Sequence, residues 1–250
     1  RKGYLTSRKG KMLLLSLCCA ELVILAAMRG RTVGADTKTY LDALEYYASL
    51  PKNEVLFAKL VWPFDFEIGY FWLTKICAFL KMPEPAFLAI IAALIYIPIF
   101  WIIYRNSKDP YISILTYFAF GFFSYSLGVF RQMIAASIVL CGVKYIEEKK
   151  PLRFFALVLL GSLFHTTAVA VISLYVLYNI PVKKYIKWII PMELICLIFG
   201  RYFALMAVLM FPQYAGYVGG KYDLQGGSYL MLLLINIVLF ALIYLNNKGF

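Results

Sequence analysis

Apolar runs follow one another along almost the whole chain, at about 12–28, 86–104, 111–127, 131–146, 152–167, 167–180, 187–210 and 229–245, with short clusters of Lys and Arg between them. Runs that recur at this length need a hydrocarbon solvent, since a perpendicular helix crosses a bilayer core with roughly 20 apolar residues. Apolar residues fill 63% of the 250 positions and charged residues 15%, where soluble domains hold about 45–50% and about 25%. A water-soluble fold of this size has too little polar surface to cover itself. The pattern predicts an all-α, polytopic transmembrane helix bundle of about 8 spans, with residues 1–250 forming one membrane domain.

The net charge of +12 does not point to nucleic acid, because the basic residues sit in clusters between apolar runs rather than along one face. Segments 1–11, 105–109, 144–153, 181–187 and 246–250 carry 15 Lys and Arg against three acids, whereas 29–85 holds seven of each. The positive-inside rule then places the basic opening segment 1–11 in the cytoplasm and 29–85 outside. Two stretches of that outer loop read as amphipathic helices. Tyr40, Leu44, Tyr47 and Ala48 share one face of 37–50; on 67–81, Ile68, Phe71, Trp72, Ile76 and Phe79 oppose Glu67, Tyr70 and Thr74. Such helices lie in the interface plane. Counting 67–81 as a crossing would move the lysine-rich 144–153 and 181–187 to the side opposite the opening segment, against the rule. The first run lacks a small-residue cleavage site and reads as an uncleaved span. The five cysteines form no CxxC pair, so neither a metal site nor a disulfide framework is expected.

Four polar groupings interrupt the apolar pattern. Arg29, Arg31, Gly34, Asp36 and Tyr40 follow the first run, and Asp36 stands where it can cap the next helix. Glu67, Gly69 and Tyr70 open the second amphipathic stretch, where an acid also suits the helix dipole. Gly128, Arg131 and Gln132 lie between two apolar runs, and arginine within a span is costly. Gly161, Phe164, His165 and Thr166 complete the set, with His165 the single histidine and Gly161 four residues before it, on one helical face if the helix continues. The topology brings Arg31, Asp36, Arg131 and His165 to the same membrane side. Two acids lie within spans, Glu21 and Glu193, and Glu193 suits an ion pair with Arg201 that orients helices, or a proton path.

The ordered set Arg29…Val33-Gly34-Ala35-Asp36-Thr37…Tyr40, Glu67-Ile68-Gly69-Tyr70, Arg131-Gln132…Ala135 and Phe164-His165-Thr166 resembles the EpsG-like bacterial polysaccharide polymerases, related in role to the Wzy polymerases. The family carries Pro where Ile68 stands, and often Ser at Thr166 or Thr167. The resemblance implies polymerisation of polyprenyl-pyrophosphate-linked oligosaccharides into exopolysaccharide or surface polysaccharide, outside the bacterial cytoplasmic membrane. No cofactor is implied, and a metal-independent glycosyltransferase is expected, with the lipid-linked glycan and the bilayer as its partners. Asp36, Arg131 and His165 are the expected catalytic residues, with Asp36 or His165 as base; Arg29, Arg31, Tyr40, Glu67, Tyr70 and Gln132 are expected to bind substrate. Tyr214 and Tyr217 are further candidates for stacking on sugar rings. The resemblance also implies an earlier span before residues 1–11, and by analogy a GT-C-like arrangement. The rival readings are a lipid-linked glycan flippase or exporter and a non-catalytic subunit of an export complex.

Overall fold

The structure is a computed structural model that describes residues 8–59, 64, 66–179, 182–210 and 212. It is helical throughout, with no strand among the described residues. Two compact units divide it, Arg1–Asn179 and Ile180–Phe250.

The first unit is built on two long apolar helices, α1 (Arg8–Ala27) and α5 (Glu84–Asn106). Between them lie α2 (Thr37–Ser49), the single turn α3 (Lys52–Val55) and α4 (Ile68–Phe79). Then follow α6 (Pro110–Ala119), α7 (Phe122–Gly128), α8 (Phe130–Leu140), α9 (Val143–Glu147), α10 (Pro151–Ser162), a 3-10 turn over Thr166–Val171 and α11 (Ile172–Asn179). The second unit contributes α12 (Val182–Met210), with Pro191 in its interior.

α1 and α5 are long and apolar enough to cross a bilayer. α5 shows why it starts and stops where it does: Pro83 is its N-cap, Glu84 lies in its first turn and Arg105 in its last, each complementing the helix dipole. α6 and α7 make a third crossing only if taken as one bent span. They meet at 58°, and the bend is at Gly121, whose φ of 74° is a left-handed conformation that ends α6. α4, α10 and the 166–179 stretch are apolar but shorter. The structure therefore shows two to three clear spans with shorter apolar helices around them. The eighth expected run, 229–245, lies outside the described residues.

α1 and α5 pack as an antiparallel pair. At one end Arg8 Nε donates to Tyr104 OH at 3.0 Å and Lys11 Nζ to the Ser107 carbonyl at 2.7 Å. At the other, Arg31 donates to Glu84. The basic opening segment and the 105–109 loop thus share one end, and both ends of 29–85 lie at the opposite one.

α2 buries Tyr40, Leu41, Ala43, Leu44 and Tyr47 against α4, the face that its periodicity predicts. α4 keeps the two faces expected of it, except that Phe71 turns inward. Tyr70, Thr74 and Lys75 are buried, while the apolar Ile68, Trp72, Ile76 and Leu80 are exposed along one stripe. The reason is the solvent: in a bilayer the apolar stripe needs no protein cover, and the polar groups do. Lys75 Nζ reaches the carbonyls of Leu56 and Ala58 at 2.5 and 2.8 Å and stands over the rings of Phe71 and Trp72. It thereby ties the segment after α3 to α4.

Candidate functional site

Three glycines set the distances on which the polar residues depend. Gly34 has φ +98°, and a Cβ there would lie 2.0 Å from the Leu127 carbonyl. The turn before α2 therefore sits against the end of α7, where Thr37 Oγ1 donates to Leu127 O at 3.0 Å. Gly69 N–H donates to Leu163 O at 2.7 Å, and a Cβ at Gly69 would meet that same oxygen at 2.7 Å. This contact holds the start of α4 against the end of α10. Gly161 lets α10 close on α8, where a Cβ would meet Val139 Cγ2 at 2.9 Å. Together the contacts bring four chain segments to one end of the helices, away from Arg8 and Lys11.

Glu67 is at the centre. It is the N-cap residue of α4 but its carboxylate makes no capping bond. Oε2 accepts from Arg131 Nη1 at 2.5 Å. Oε1 accepts from His165 Nδ1 at 2.8 Å and from the Thr166 backbone N–H at 3.1 Å. Burial raises the carboxyl's pKa, but hydrogen bonds from His165 and from its own amide, the Arg131 charge and the Thr166 amide outweigh burial and hold it at about 2. Glu67 is thus ionised, and Nδ1 of His165 must carry the proton it donates. His165 itself has extended backbone, φ −157° and ψ 120°, just past the end of α10. The last helical bond of α10, His165 N–H to Gly161 O at 3.0 Å, still reaches this residue, but its extended backbone takes the side chain out of the expected helical register with Gly161.

Arg131 also points Nε at Tyr40 OH, at 3.4 Å, and lies over the Phe66 ring, 5.1 Å from its centre. Tyr40 stacks on Phe130 at 4.7 Å and reaches Asp36 Oδ2 at 3.5 Å, long for a hydrogen bond. Asp36 takes the N-cap position of α2, as its place in the sequence predicts, yet its side chain accepts no capping bond. Asp36, Tyr40, Arg131, Glu67 and His165 therefore form one continuous polar path.

Arg29 lies beneath that path. Its guanidinium stands 4.6 Å from the Phe130 ring centre, and Nη1 donates to Ala26 O at the end of α1. Its Nε and Nη2, like the Tyr70 hydroxyl, are buried without a hydrogen-bond partner. Burial lowers the Arg29 pKa and raises that of Tyr70. A buried guanidinium with two open donors is the chemistry of an anion site, since each unmade bond there is costly.

Two expected binding residues stand apart. Arg31 is held by Asp42 at 3.0 Å, Glu45 at 2.8 Å and Glu84, a surface cluster joining the exit of α1 to α2 and α5. Gln132 is exposed on α8 and bonds no side chain among the described residues. Phe66 and Phe130, which build the aromatic floor, were not expected, and nothing but their position beside Glu67 and Arg131 marks them in the sequence. Glu21 is exposed on α1 without an ion pair among the described residues. The Glu193 side chain, Tyr214 and Tyr217 lie outside the described residues.

Apolar helices with outward-facing Leu, Ile and Phe side chains, and an ionic cluster closed between helix ends, define an integral membrane protein with a carboxylate-centred polar site. The chain belongs to the EpsG family, a polysaccharide polymerase-like family whose model matches residues 12–249. Comparison with curated proteins and with solved structures finds no match.

Proposed function

We propose that the protein joins lipid-linked oligosaccharide repeat units into a longer exopolysaccharide or surface polysaccharide. The reaction is glycosyl transfer from a polyprenyl pyrophosphate at the extracytoplasmic face of the bacterial cytoplasmic membrane. Family membership supports polymerase-type chemistry. The observation that carries the residue assignment is the Glu67 carboxylate held between Arg131 and His165.

Glu67 is a positioning residue. It fixes the His165 ring with Nδ1–H donating, so Nε2 of the neutral ring is the acceptor. Nε2 takes the proton of the attacking sugar hydroxyl while that oxygen bonds to the donor's anomeric carbon. The bond from this carbon to the pyrophosphate oxygen breaks, and its electron pair leaves with the polyprenyl pyrophosphate. Arg131 keeps N–H groups beyond those engaged by Glu67 and Tyr40, and these face the developing negative charge. Arg29 adds its two open donors. Asp36, free of a capping bond, receives hydroxyls of the acceptor sugar. Charge neutralisation by arginine makes the reaction metal-independent. The chain makes about eight crossings with 29–85 outside, a GT-C-like arrangement by analogy.

Purified full-length protein supplied with lipid-linked repeat units should give a ladder of longer glycans. Lipid movement across vesicles without a ladder would assign the protein to export, and neither result would leave a non-catalytic role.

A further inference from the structure

At the basic end of the α1–α5 pair, remote from the Glu67 cluster, a cavity of about 530 Å³ is lined by Arg8, Lys11, Trp101, Tyr104 and Arg105. Trp101 and Tyr104 stack with ring centres 6.0 Å apart and make an aromatic wall. Arg105 stands 5.6 Å from the Trp101 ring, and Lys11 stands 5.7 Å from that of Tyr104. The polar partners of Arg8 and Lys11 are neutral: the Tyr104 hydroxyl and the Ser107 carbonyl.

No member of this trio has an ion-pair partner among the described residues. The nearest acid in sequence, Asp109, is committed elsewhere, accepting from the Tyr111 and Ile112 amides as the cap of α6. Residues 1–7 contain no acid either. Three cations converging on one space repel each other, and an anion between them removes that cost. Orientation of the chain by positive charge needs only their number on one side. It does not need two helices to gather them around a space with an aromatic wall.

We propose that this cavity binds the phosphate headgroup of an anionic phospholipid in the adjoining leaflet, the cytoplasmic one on the charge asymmetry of the chain. The two guanidiniums fork onto phosphate oxygens and Lys11 adds a point charge. A lipid is the fitting source because apolar surface begins beside the cations. Met12 on α1 and Ile97 on α5 are exposed, the latter one turn before Trp101, and offer acyl chains a track. Trp101, itself exposed, sits at the level where tryptophan favours the headgroup boundary.

The test is native mass spectrometry of the full chain in detergent, titrated with phosphatidylglycerol or phosphatidylcholine of the same acyl chains. Phosphatidylglycerol should be retained preferentially, and Arg8→Gln with Arg105→Gln should lower that preference roughly tenfold. Neutralising a basic pair elsewhere, Lys149→Gln with Arg153→Gln, should leave it in place. Lys11→Gln alone, with a loss of roughly threefold, serves if the double variant does not fold. Equal retention of the two lipids, or equal loss in the control pair, overturns the proposal. Displacement of the lipid by excess inorganic phosphate overturns it too, by assigning the cavity to a soluble anion.

Discussion

His165 donates from Nδ1 to the Glu67 carboxylate at 2.8 Å across 98 residues of sequence, and the other oxygen of that carboxylate holds Arg131 at 2.5 Å. One acid thus positions both the group proposed to take a proton and the group proposed to stabilise the leaving charge. Its loss disturbs both at once.

Glu67→Gln keeps the size of the side chain but loses its charge, and its amide offers only one carbonyl oxygen where two are in use. Turnover per folded molecule in the ladder assay should fall by roughly 10²–10⁴, well beyond any drop in the amount of protein in the membrane. Glu67→Asp keeps the charge but is shorter by a methylene, so one carboxylate no longer spans Arg131 and His165. It should also lose most activity. Full turnover in either variant would remove Glu67 from the mechanism.

The depressed Glu67 pKa makes a stability prediction with a definite sign. Its folded value, about 2 against an ordinary 4.5, means that the ionised form favours the folded state above about pH 4.5. That contribution is lost as pH falls from about 4.5 towards 2, and it is worth at most about 3 kcal/mol. The difference in melting temperature between the wild type and Glu67→Gln should be constant from neutral pH down to about 5 and shrink below it. A difference that stays constant from about pH 5 down to about 2 would contradict the depressed Glu67 pKa described here.

Much of this arrangement was legible before the structure. The apolar runs mark α1 and α5, and the α2 face of Tyr40, Leu44 and Tyr47 follows from helical spacing. The motif residues Asp36, Arg131 and His165 do converge. What was not legible depends on partners distant in sequence. Arg31 looks like a phosphate ligand beside Arg29, yet Glu84, 53 residues on, joins Asp42 and Glu45 in binding it. Glu67 reads as an ordinary first-turn acid because its partners come from α8 and from the end of α10. On α4 the stripe of Ile68, Trp72 and Ile76 follows from spacing, but Phe71, read as part of it, is buried against the Tyr47 ring, since periodicity separates faces without naming the neighbour that covers each residue.

Gly69→Ala tests whether the close approach of α4 to α10 creates the site. The added methyl would meet the Leu163 carbonyl at 2.7 Å, and backbone cannot yield as a flexible side chain can. The start of α4 must move, lengthening the Glu67–His165 bond. A loss of about 1–3 kcal/mol in stability is expected from such overpacking, with turnover falling at least tenfold at a temperature where the variant remains folded. An active variant with a normal melting temperature would mean that the site tolerates separation of these helices.

The two arginines after α1 should separate cleanly. Arg31 sits in a half-exposed acidic cluster, so Arg31→Gln should cost no more than about 1 kcal/mol per ion pair lost and leave turnover within about threefold. Arg29→Gln removes a guanidinium whose Nε and Nη2 have no partner, so relief of that burial offsets the lost Phe130 contact and stability should change little. The kcat/KM for the lipid-linked donor should fall at least roughly tenfold, through a lower kcat as well as a higher KM, because Arg29 is proposed to face the developing charge. The reverse pattern would place the pyrophosphate in the Arg31 cluster.

Arg131→Lys is the most demanding substitution because it preserves charge. Lysine presents three donors from a single nitrogen, whereas the guanidinium places Nη1 on Glu67 and Nε towards Tyr40 and leaves a planar edge for pyrophosphate oxygens. A lysine that reaches Glu67 has no second nitrogen for the leaving group, and one that reaches the leaving group leaves Glu67 with His165 alone. Turnover should therefore fall by roughly 10² or more, in line with losing one preorganised donor to developing negative charge. Membrane abundance and the acid-side stability contribution of Glu67 should persist, since a positive charge remains nearby. Tyr40→Phe is the companion measurement: it removes the two long contacts of that hydroxyl, 3.4 Å to Arg131 Nε and 3.5 Å to Asp36 Oδ2, and should cost less than about tenfold. Arg131→Lys with full activity would show that charge alone suffices there, and the forked grip on the pyrophosphate would be abandoned.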